Sequence, residues 1–446
     1  MRTMKQVQRV ETNAAKKLFW KETMLEAGEC TNPMELIQMI PEVTGQTMEG
    51  FGGAFTESTA HNFSKLDAER QEQFLQAYFG KDGLRYSIGR VTIHSCDFAL
   101  GNYTYVQEGD QTLESFDIAH DREQIVPLVL RAVACAGGKM QFLASPWSPP
   151  AYMKTNGEMN HGGRLKEDYR KLWAEYFVRF LQEYRAAGIQ VTAITVQNEP
   201  EAVQTWDSCV YTAQEEGEFV AKYLGPALEQ AGFGDVAIYV WDHNKERLYQ
   251  RYRDAVSVEG AQKYIKGAAM HWYTGDHFDA ISVVKEKYPD AKLIFSEGCV
   301  EYSRFADSDE VRKAEMYAHD MIGNFRAGVD AFLDWNLLLD EKGGPNHVGN
   351  FCAAPVMLTG NGDFERTLMY YYIGQLSRFV PKGSVRIATT QYTDGLDVCA
   401  FLTPDKERVL VVLNKSAEDR HVVVREETEG FEDTVAAHSI VTYIKK

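Results

Sequence analysis

Between residues 48 and 350 the chain alternates short β-rich runs with long amphipathic stretches, and that alternation points to parallel βα units. Eight runs are found, at 48–53, 85–91, 139–144, 190–197, 236–241, 265–270, 291–296 and 329–333. Between the third and the fourth, residues 168–187 set Leu172, Trp173, Tyr176, Phe177, Phe180, Leu181 and Tyr184 on one face of a helix, with Gly188 placed to supply a left-handed cap. Eight strands with intervening helices over roughly 300 residues predict an α/β fold, a (β/α)8 TIM barrel. Beyond it the pattern changes. Residues 385–390, 396–402, 408–413, 421–425 and 439–444 are short alternating strands parted by turns such as Asp394-Gly395 and Pro404-Asp405, which predicts an antiparallel β-sandwich. Leu18-Phe19-Trp20 and residues 36–40 read as strands or as a helix and a half, and one of them is expected to pair with the C-terminal sheet. The chain thus divides into an N-terminal segment 1–47 that belongs with the sandwich, a catalytic barrel 48–375 and the sandwich 376–446.

Charge and cysteine usage narrow the partners. With 64 acidic against 47 basic residues the formal charge is -17, which repels nucleic acid and anionic membrane surfaces and suits a neutral substrate. The seven cysteines, Cys30, Cys96, Cys135, Cys209, Cys299, Cys352 and Cys399, are dispersed and without CxxC pairs. That argues against a disulfide framework or a structural zinc site and reads as free thiols in a reducing compartment. Residues 1–10 lack the apolar stretch of a signal peptide, and no segment has the roughly 18 apolar residues of a membrane span. A cytoplasmic protein without integral membrane association is expected; its oligomeric state is left open.

In a barrel the residues just after each strand line a single face. Here they are Gly52-Gly53, then Arg90, His94 and Asp97, then Ser145-Pro146-Trp147, Asn198-Glu199, Asp242-His243-Asn244, His271-Trp272-Tyr273, Glu297, and Asp334-Trp335-Asn336. Sugars ask for this mixture, because their hydroxyls need paired donors and acceptors while their C–H faces pack on aromatic rings. Two of these tips are carboxylates, Glu199 in Asn198-Glu199-Pro200 and Glu297 in Ser296-Glu297-Gly298. A strand buried on both faces has no use for an ionised group at its end, since burial raises a carboxyl pKa unless partners stabilise the charge. Glycoside hydrolysis is the reaction class that asks for two carboxyls and no cofactor. Taken alone, Asn-Glu-Pro is a common tripeptide, and Glu297 also reads as a helix-capping carboxylate. His94 and His271 read as barrel histidines or as metal ligands, but no HxH or HExxH pair accompanies them and no metal is expected. Trp206, Tyr211 and Trp241 read equally as leaving-group contacts or as helix cover, and Tyr370-Tyr371-Tyr372 as packing between domains.

Gly50-Phe51-Gly52-Gly53-Ala54-Phe55-Thr56, Ser95-Cys96-Asp97-Phe98, Ala144-Ser145-Pro146-Trp147-Ser148-Pro149-Pro150, Asn198-Glu199-Pro200, His271-Trp272-Tyr273, Phe295-Ser296-Glu297-Gly298-Cys299 and Asp334-Trp335-Asn336-Leu337 together resemble glycoside hydrolase family 30, the family of lysosomal glucosylceramidase. Gly343-Gly344-Pro345-Asn346 and Asn350-Phe351 continue the likeness, which runs from about residue 48 to 381 in the family's order. The resemblance implies a (β/α)8 barrel with a β-sandwich built from both chain ends, and a retaining mechanism without a cofactor. By it Glu199 is the general acid/base and Glu297 the nucleophile. Asn198 is similar to the family's donor to the sugar 2-hydroxyl; Asp97, Trp147 and Asn350 resemble the residues that hold the other hydroxyls, and Trp335 the aromatic wall. Arg90, His271 and Tyr273 match positions near the nucleophile, where donors keep it ionised. The implied substrate is a β-linked glucoside or oligosaccharide, with β-xylosides and β-1,6-linked glucans as alternatives within the family. A non-catalytic sugar-binding protein on this scaffold and a metal-dependent barrel hydrolase using His94, Asp97 and His271 are the readings from other classes. After Glu199 the chain continues Pro200-Glu201-Ala202-Val203-Gln204-Thr205-Trp206, a polar loop that does not favour ceramide glycosides.

Overall fold

The strand runs form a barrel in which each strand hydrogen-bonds in parallel to the next. A computed structural model describes residues 5–30, 36–305 and 308–446; residues 1–4 and 31–35 of the N-terminal segment lie outside the described residues. The barrel strands are β1 (Gly50–Ala54), β2 (Ile88–Ile93), β3 (Gln141–Pro146), β4 (Val191–Thr195), β5 (Ala237–Asn244), β6 (Ile265–His271), β7 (Lys292–Glu297) and β8 (Ala331–Asn336). They pair in chain order and close through β8 against β1. Ile88, Leu143, Tyr239, Ile294 and Leu333 fill the barrel interior. Strands must come close to close the ring, and Gly52 shows why that tip is glycine-rich: a Cβ there would stand 1.9 Å from the Ile88 carbonyl oxygen.

Strand ends differ from expectation in one direction. Seven strands run one to three residues further than the apolar pattern suggested, while β4 stops two residues early at Thr195. Hydropathy ends a strand at its first polar residue, whereas the ladder of main-chain hydrogen bonds carries on through it. Asp242, His271, Glu297 and Trp335 therefore sit on strands rather than in loops, whereas Asn198 and Glu199 stand in the turn beyond β4. The helix expected after β3 runs Arg170–Ala186 and buries all seven residues of the expected apolar face. Gly188 follows it at φ 88°, the left-handed conformation that ends a helix at little cost in glycine.

The second layer is made from both chain ends. Lys5–Asn13, Leu18–Glu29 and Leu36–Thr47 join Val385–Gln391, Leu396–Leu402, Arg408–Asn414, Arg420–Glu426, Glu429–Val435 and Ser439–Lys445. Their pairing runs unbroken around all nine strands. Three N-terminal strands thus enter the sheet where one was expected. Eight of the pairings are antiparallel, and that between Leu36–Met39 and Val423–Glu426 is parallel. Pro41 lies inside the third strand, where the register against Ile387 and Ala388 jumps from Thr44 to Ile40; the irregularity accommodates a residue with no N–H to donate. Val7, Ile37, Val398, Val412, Val424 and Val441 form the inner core of this layer.

The two layers are fastened by aromatic residues. Trp20 Nε1 donates to the Tyr371 carbonyl at 2.8 Å, its ring lies 5.3 Å from that of Tyr370, and the Tyr372 hydroxyl donates to the His438 carbonyl at 3.0 Å. The Tyr370-Tyr371-Tyr372 cluster packs between domains. Among the described residues no helix is long and apolar enough to cross a membrane, and the seven cysteines are free thiols.

A chain ending at Leu376 would strip the three N-terminal strands of their C-terminal partners, leaving the first two paired only with each other, and expose the fully buried faces of Tyr372 and Leu376. Such a truncation is expected to be insoluble or unfolded by circular dichroism; a soluble, fully active product would contradict the shared core.

Candidate active site

Most of the polar strand tips converge on one pocket enclosing about 150 Å³ at the C-terminal mouth of the barrel. Asp97, Trp147, Asn198, Glu199, Tyr273, Glu297, Trp335 and Asn350 line it, together with Trp206, which sequence alone left undecided. Arg90 and His271 lie beneath this lining, fully buried.

The floor is a layer of polar side chains set on an apolar barrel. Arg90 on β2 reaches across the interior and donates to Glu297 Oε2 at 2.6 Å, to Asn198 Oδ1 at 2.9 Å, to Asp242 Oδ2 at 2.9 Å and to Ser145 Oγ at 3.2 Å. Asp242 on β5 also accepts from Thr195 Oγ1 at 2.7 Å and Ser296 Oγ at 2.5 Å, and its Oδ1 lies 3.1 Å from His271 Nε2. His271 on β6 turns its other nitrogen, Nδ1, to Glu199 Oε1 at 3.2 Å and lies 3.9 Å from Glu297 Oε1. The Tyr273 hydroxyl donates to Glu297 Oε1 at 2.9 Å. One oxygen from each glutamate and the histidine nitrogen all lie within 4.8 Å of one another.

Burial alone would neutralise every one of these groups, so their partners set the charge. Burial opposes ionisation of Asp242, but Arg90, His271 and Ser296 hold it well below the usual carboxylate range. Burial likewise opposes the His271 cation, yet Glu297, Asp242 and Glu199 lift its pKa to about 9, so it is an imidazolium at neutral pH. Two buried cations, Arg90 and His271, then face three carboxyls, and one proton on the glutamate pair brings the five groups to neutrality. The pair titrates as a unit. Burial pushes Glu297 up, with the Glu199 charge adding to it against His271 and Arg90. The same burial penalty on Glu199 is overcome by His243 and His271, which draw it down. The hydrogen bonds from Arg90 and Tyr273 favour the Glu297 anion against that push.

On the far wall Trp147 and Trp335 stack at 5.3 Å and 20°, and Arg90 lies 4.8 Å from the Trp147 ring. Asn346 and Asn350 each donate to Asp97 Oδ2 at 3.3 Å. Burial and the charge of Glu297 push Asp97 well above the ordinary range, against the hydrogen bond from Asn350.

Sequence reasoning brought the ten named site residues to one place but passed over Asp242 as the hub, because a carboxylate following an apolar run reads as the start of a loop. Its signal was present in Asp242-His243-Asn244, beside the other polar tips. His94 does not join the site: its ring packs among Tyr105, Trp173 and Tyr176, its nitrogens have no hydrogen-bond partner among the described residues, and burial holds it neutral with a pKa of about 3. Tyr211 and Trp241 are buried under helices. Glu199, His271 and Glu297 have the spacing of a cation site, yet the Arg90 guanidinium on Glu297 and the protonated His271 already supply the positive charge there, an arrangement that opposes a metal ion.

Known proteins share this architecture. Residues 48–380 match the family model described as the glycosyl hydrolase family 30 TIM-barrel domain, and residues 383–443 that of the glycosyl hydrolase family 30 beta sandwich domain. The chain is 34% identical to lysosomal acid glucosylceramidase of Mus musculus over 429 residues, covering 92% of this chain and 83% of that one. Among solved structures it is similar to SrfJ from Salmonella typhimurium, with a TM-score of 0.95 and 39% identity over 98% of this chain and 99% of the other. It is also similar to the endo-beta1,6-glucanase BT3312, with a TM-score of 0.89 and 27% identity over 98% and 99%. With all eight barrel strands and most of the sandwich inside these matches, the chain belongs to glycoside hydrolase family 30.

Proposed function

We propose that the chain is a retaining β-glycosidase that hydrolyses β-linked glucosides through a covalent glycosyl-enzyme intermediate. The carrying observation is the pair of carboxyls, Glu199 beyond β4 and Glu297 at the end of β7, with oxygens within 4.8 Å of each other at the floor of a single pocket. Carboxyls held this close suit direct attack by one of them on the sugar.

In this reading Glu297 attacks the anomeric carbon while Glu199 gives its proton to the departing oxygen. Glu199 then takes a proton from the water that cleaves the glycosyl ester and frees the sugar. Attack requires the shared proton on Glu199. A sugar seated over Glu297 favours that placement, because positive charge developing at the anomeric carbon stabilises the Glu297 anion and the leaving oxygen accepts a hydrogen bond from Glu199. Arg90 and Tyr273 keep their donors on Glu297 throughout. Asn198, oriented by Arg90, supplies a donor for the 2-hydroxyl; Asp97, Trp147, Asn350 and Trp335 form the wall that holds the ring.

The names of the relatives, a glucosylceramidase and an endo-β1,6-glucanase, support glucose as the sugar. Xylose lacks the exocyclic hydroxymethyl, and buried polar atoms left without that partner cost about 1–3 kcal/mol, about tenfold or more in specificity. The 4-nitrophenyl β-glucoside is therefore expected to show the higher kcat/KM; a faster β-xyloside would move the sugar assignment and leave the carboxyl roles in place.

Two substitutions separate the carboxyls. Glu297→Ala is expected to abolish turnover, and azide to restore part of it as the α-glycosyl azide, since the anion enters from the vacated face; the β-azide would refute the nucleophile assignment. Glu199→Ala is expected to slow glycosides with poor leaving groups far more than activated aryl glycosides, and to flatten the alkaline limb of the pH profile, which reports loss of its proton. Equal losses across leaving groups would remove Glu199 from the acid role.

A further inference from the structure

Beside Asp97, Trp147, Trp335 and Asn350 the pocket is lined by Gln204, Trp206, Asn244, Glu301 and Arg304. The leaving group of the proposed reaction must lie on the side of Glu199, toward the turn that continues into Gln204 and Trp206. The same pocket holds an ion pair open to solvent. Glu301 sits on the two-residue strand Val300–Glu301, which pairs antiparallel with Cys352–Ala353 directly after Asn350. Arg304 follows on the short helix Tyr302–Phe305, donating to Glu301 Oε2 at 3.3 Å and to the Tyr273 carbonyl at 2.5 Å. The Glu301 side chain is 22% exposed and that of Arg304 48%, so both are open to a ligand.

We infer that Glu301 and Arg304 are specificity-determining residues that select a sugar as the leaving group. This rests on the glycosidase reading above and names the chemistry on its departing side. A carboxylate accepts and a guanidinium donates, and a side-by-side acceptor and donor match adjacent sugar hydroxyls, each of which both donates and accepts. Trp206, half-buried in the same pocket, offers a ring for the sugar's C–H face. An acyl or alkyl leaving group would instead cover the pair and take its charges out of water without supplying partners, which opposes binding.

The test compares wild type, Arg304→Leu and Glu301→Gln by kcat/KM on three kinds of β-glucoside: glucose disaccharides linked β-1,3, β-1,4 and β-1,6, octyl β-glucoside, and 4-nitrophenyl β-glucoside. Wild type is expected to favour at least one disaccharide over octyl glucoside. Each variant is expected to lose about tenfold or more on that disaccharide and to stay within about threefold of wild type on the nitrophenyl glucoside, with octyl glucoside undiminished in Arg304→Leu. Glu301→Gln preserves side-chain shape and reads the same contrast should loss of Arg304 disturb the Tyr273 backbone. Equal losses on all three kinds would show that the pair supports Tyr273 rather than the leaving group, and overturn the assignment. So would a wild type that cleaves the nitrophenyl glucoside but no disaccharide. A wild type inactive on every β-glucoside and on the 4-nitrophenyl β-xyloside would remove the glycosidase reading itself, and this inference with it.

Discussion

The site hangs on the buried ion pair between Arg90 and Asp242. Both side chains are fully shielded from water and their charged atoms are 2.9 Å apart. A guanidinium in that position must place its N–H groups on acceptors, and it does so on residues contributed by β3, β5, β7 and the turn after β4. Removing one partner of such a pair leaves an uncompensated charge, a loss of about 3–5 kcal/mol. Asp242 spends its second oxygen on His271 and Ser296, so the same two residues that neutralise each other also orient the groups touching both glutamates. Charge balance and geometry are one constraint here.

The backbone bears part of the burden. Glu199, Trp241 and Asp242 lie at φ 49°, 74° and 47°, the left-handed region that residues with a Cβ seldom occupy. Such conformations cost about 1–3 kcal/mol each and persist where surrounding bonds over-determine them. The Glu199 N–H donates to the Asp242 carbonyl at 3.0 Å and the Asn198 N–H to the Pro146 carbonyl at 2.8 Å, which tie the strained turn after β4 to its two neighbouring strands. β4 ends early so that this turn can lift Glu199 to the height of Glu297, which remains on its strand.

Much of the site was legible because its residues are chemically out of place. A carboxylate, an amide or an indole at the tip of an apolar strand has no packing reason to be there, and seven of the eight tips, which share a face in a barrel, carry one. Asp242 escaped because its role is toward other side chains rather than toward a ligand, and nothing in Trp241-Asp242-His243 distinguishes a buried hub from a polar loop. The first N-terminal strand escaped for another reason. Lys5–Asn13 pairs with Ser439–Lys445 across almost the whole chain, and its run of Gln, Arg, Glu and Thr carries little apolar signal of its own. Glu301 and Arg304 read as ordinary loop residues until the pairing of Val300–Glu301 with Cys352–Ala353 set them at the rim.

The sequence by itself determined the number and order of the barrel strands, the amphipathic helix after β3, the acidic surface and the presence of two carboxyls among sugar-suited side chains. These are properties of local period and residue type, which need no knowledge of distant neighbours. Only the tertiary structure decided which oxygen meets which nitrogen, which side chains share the pocket with Glu301 and Arg304 and how many N-terminal strands close the sandwich. Those depend on strand register and ring closure, which bring together groups such as Arg90 and Glu297 from positions more than two hundred residues apart, and no local pattern encodes a distance across the barrel.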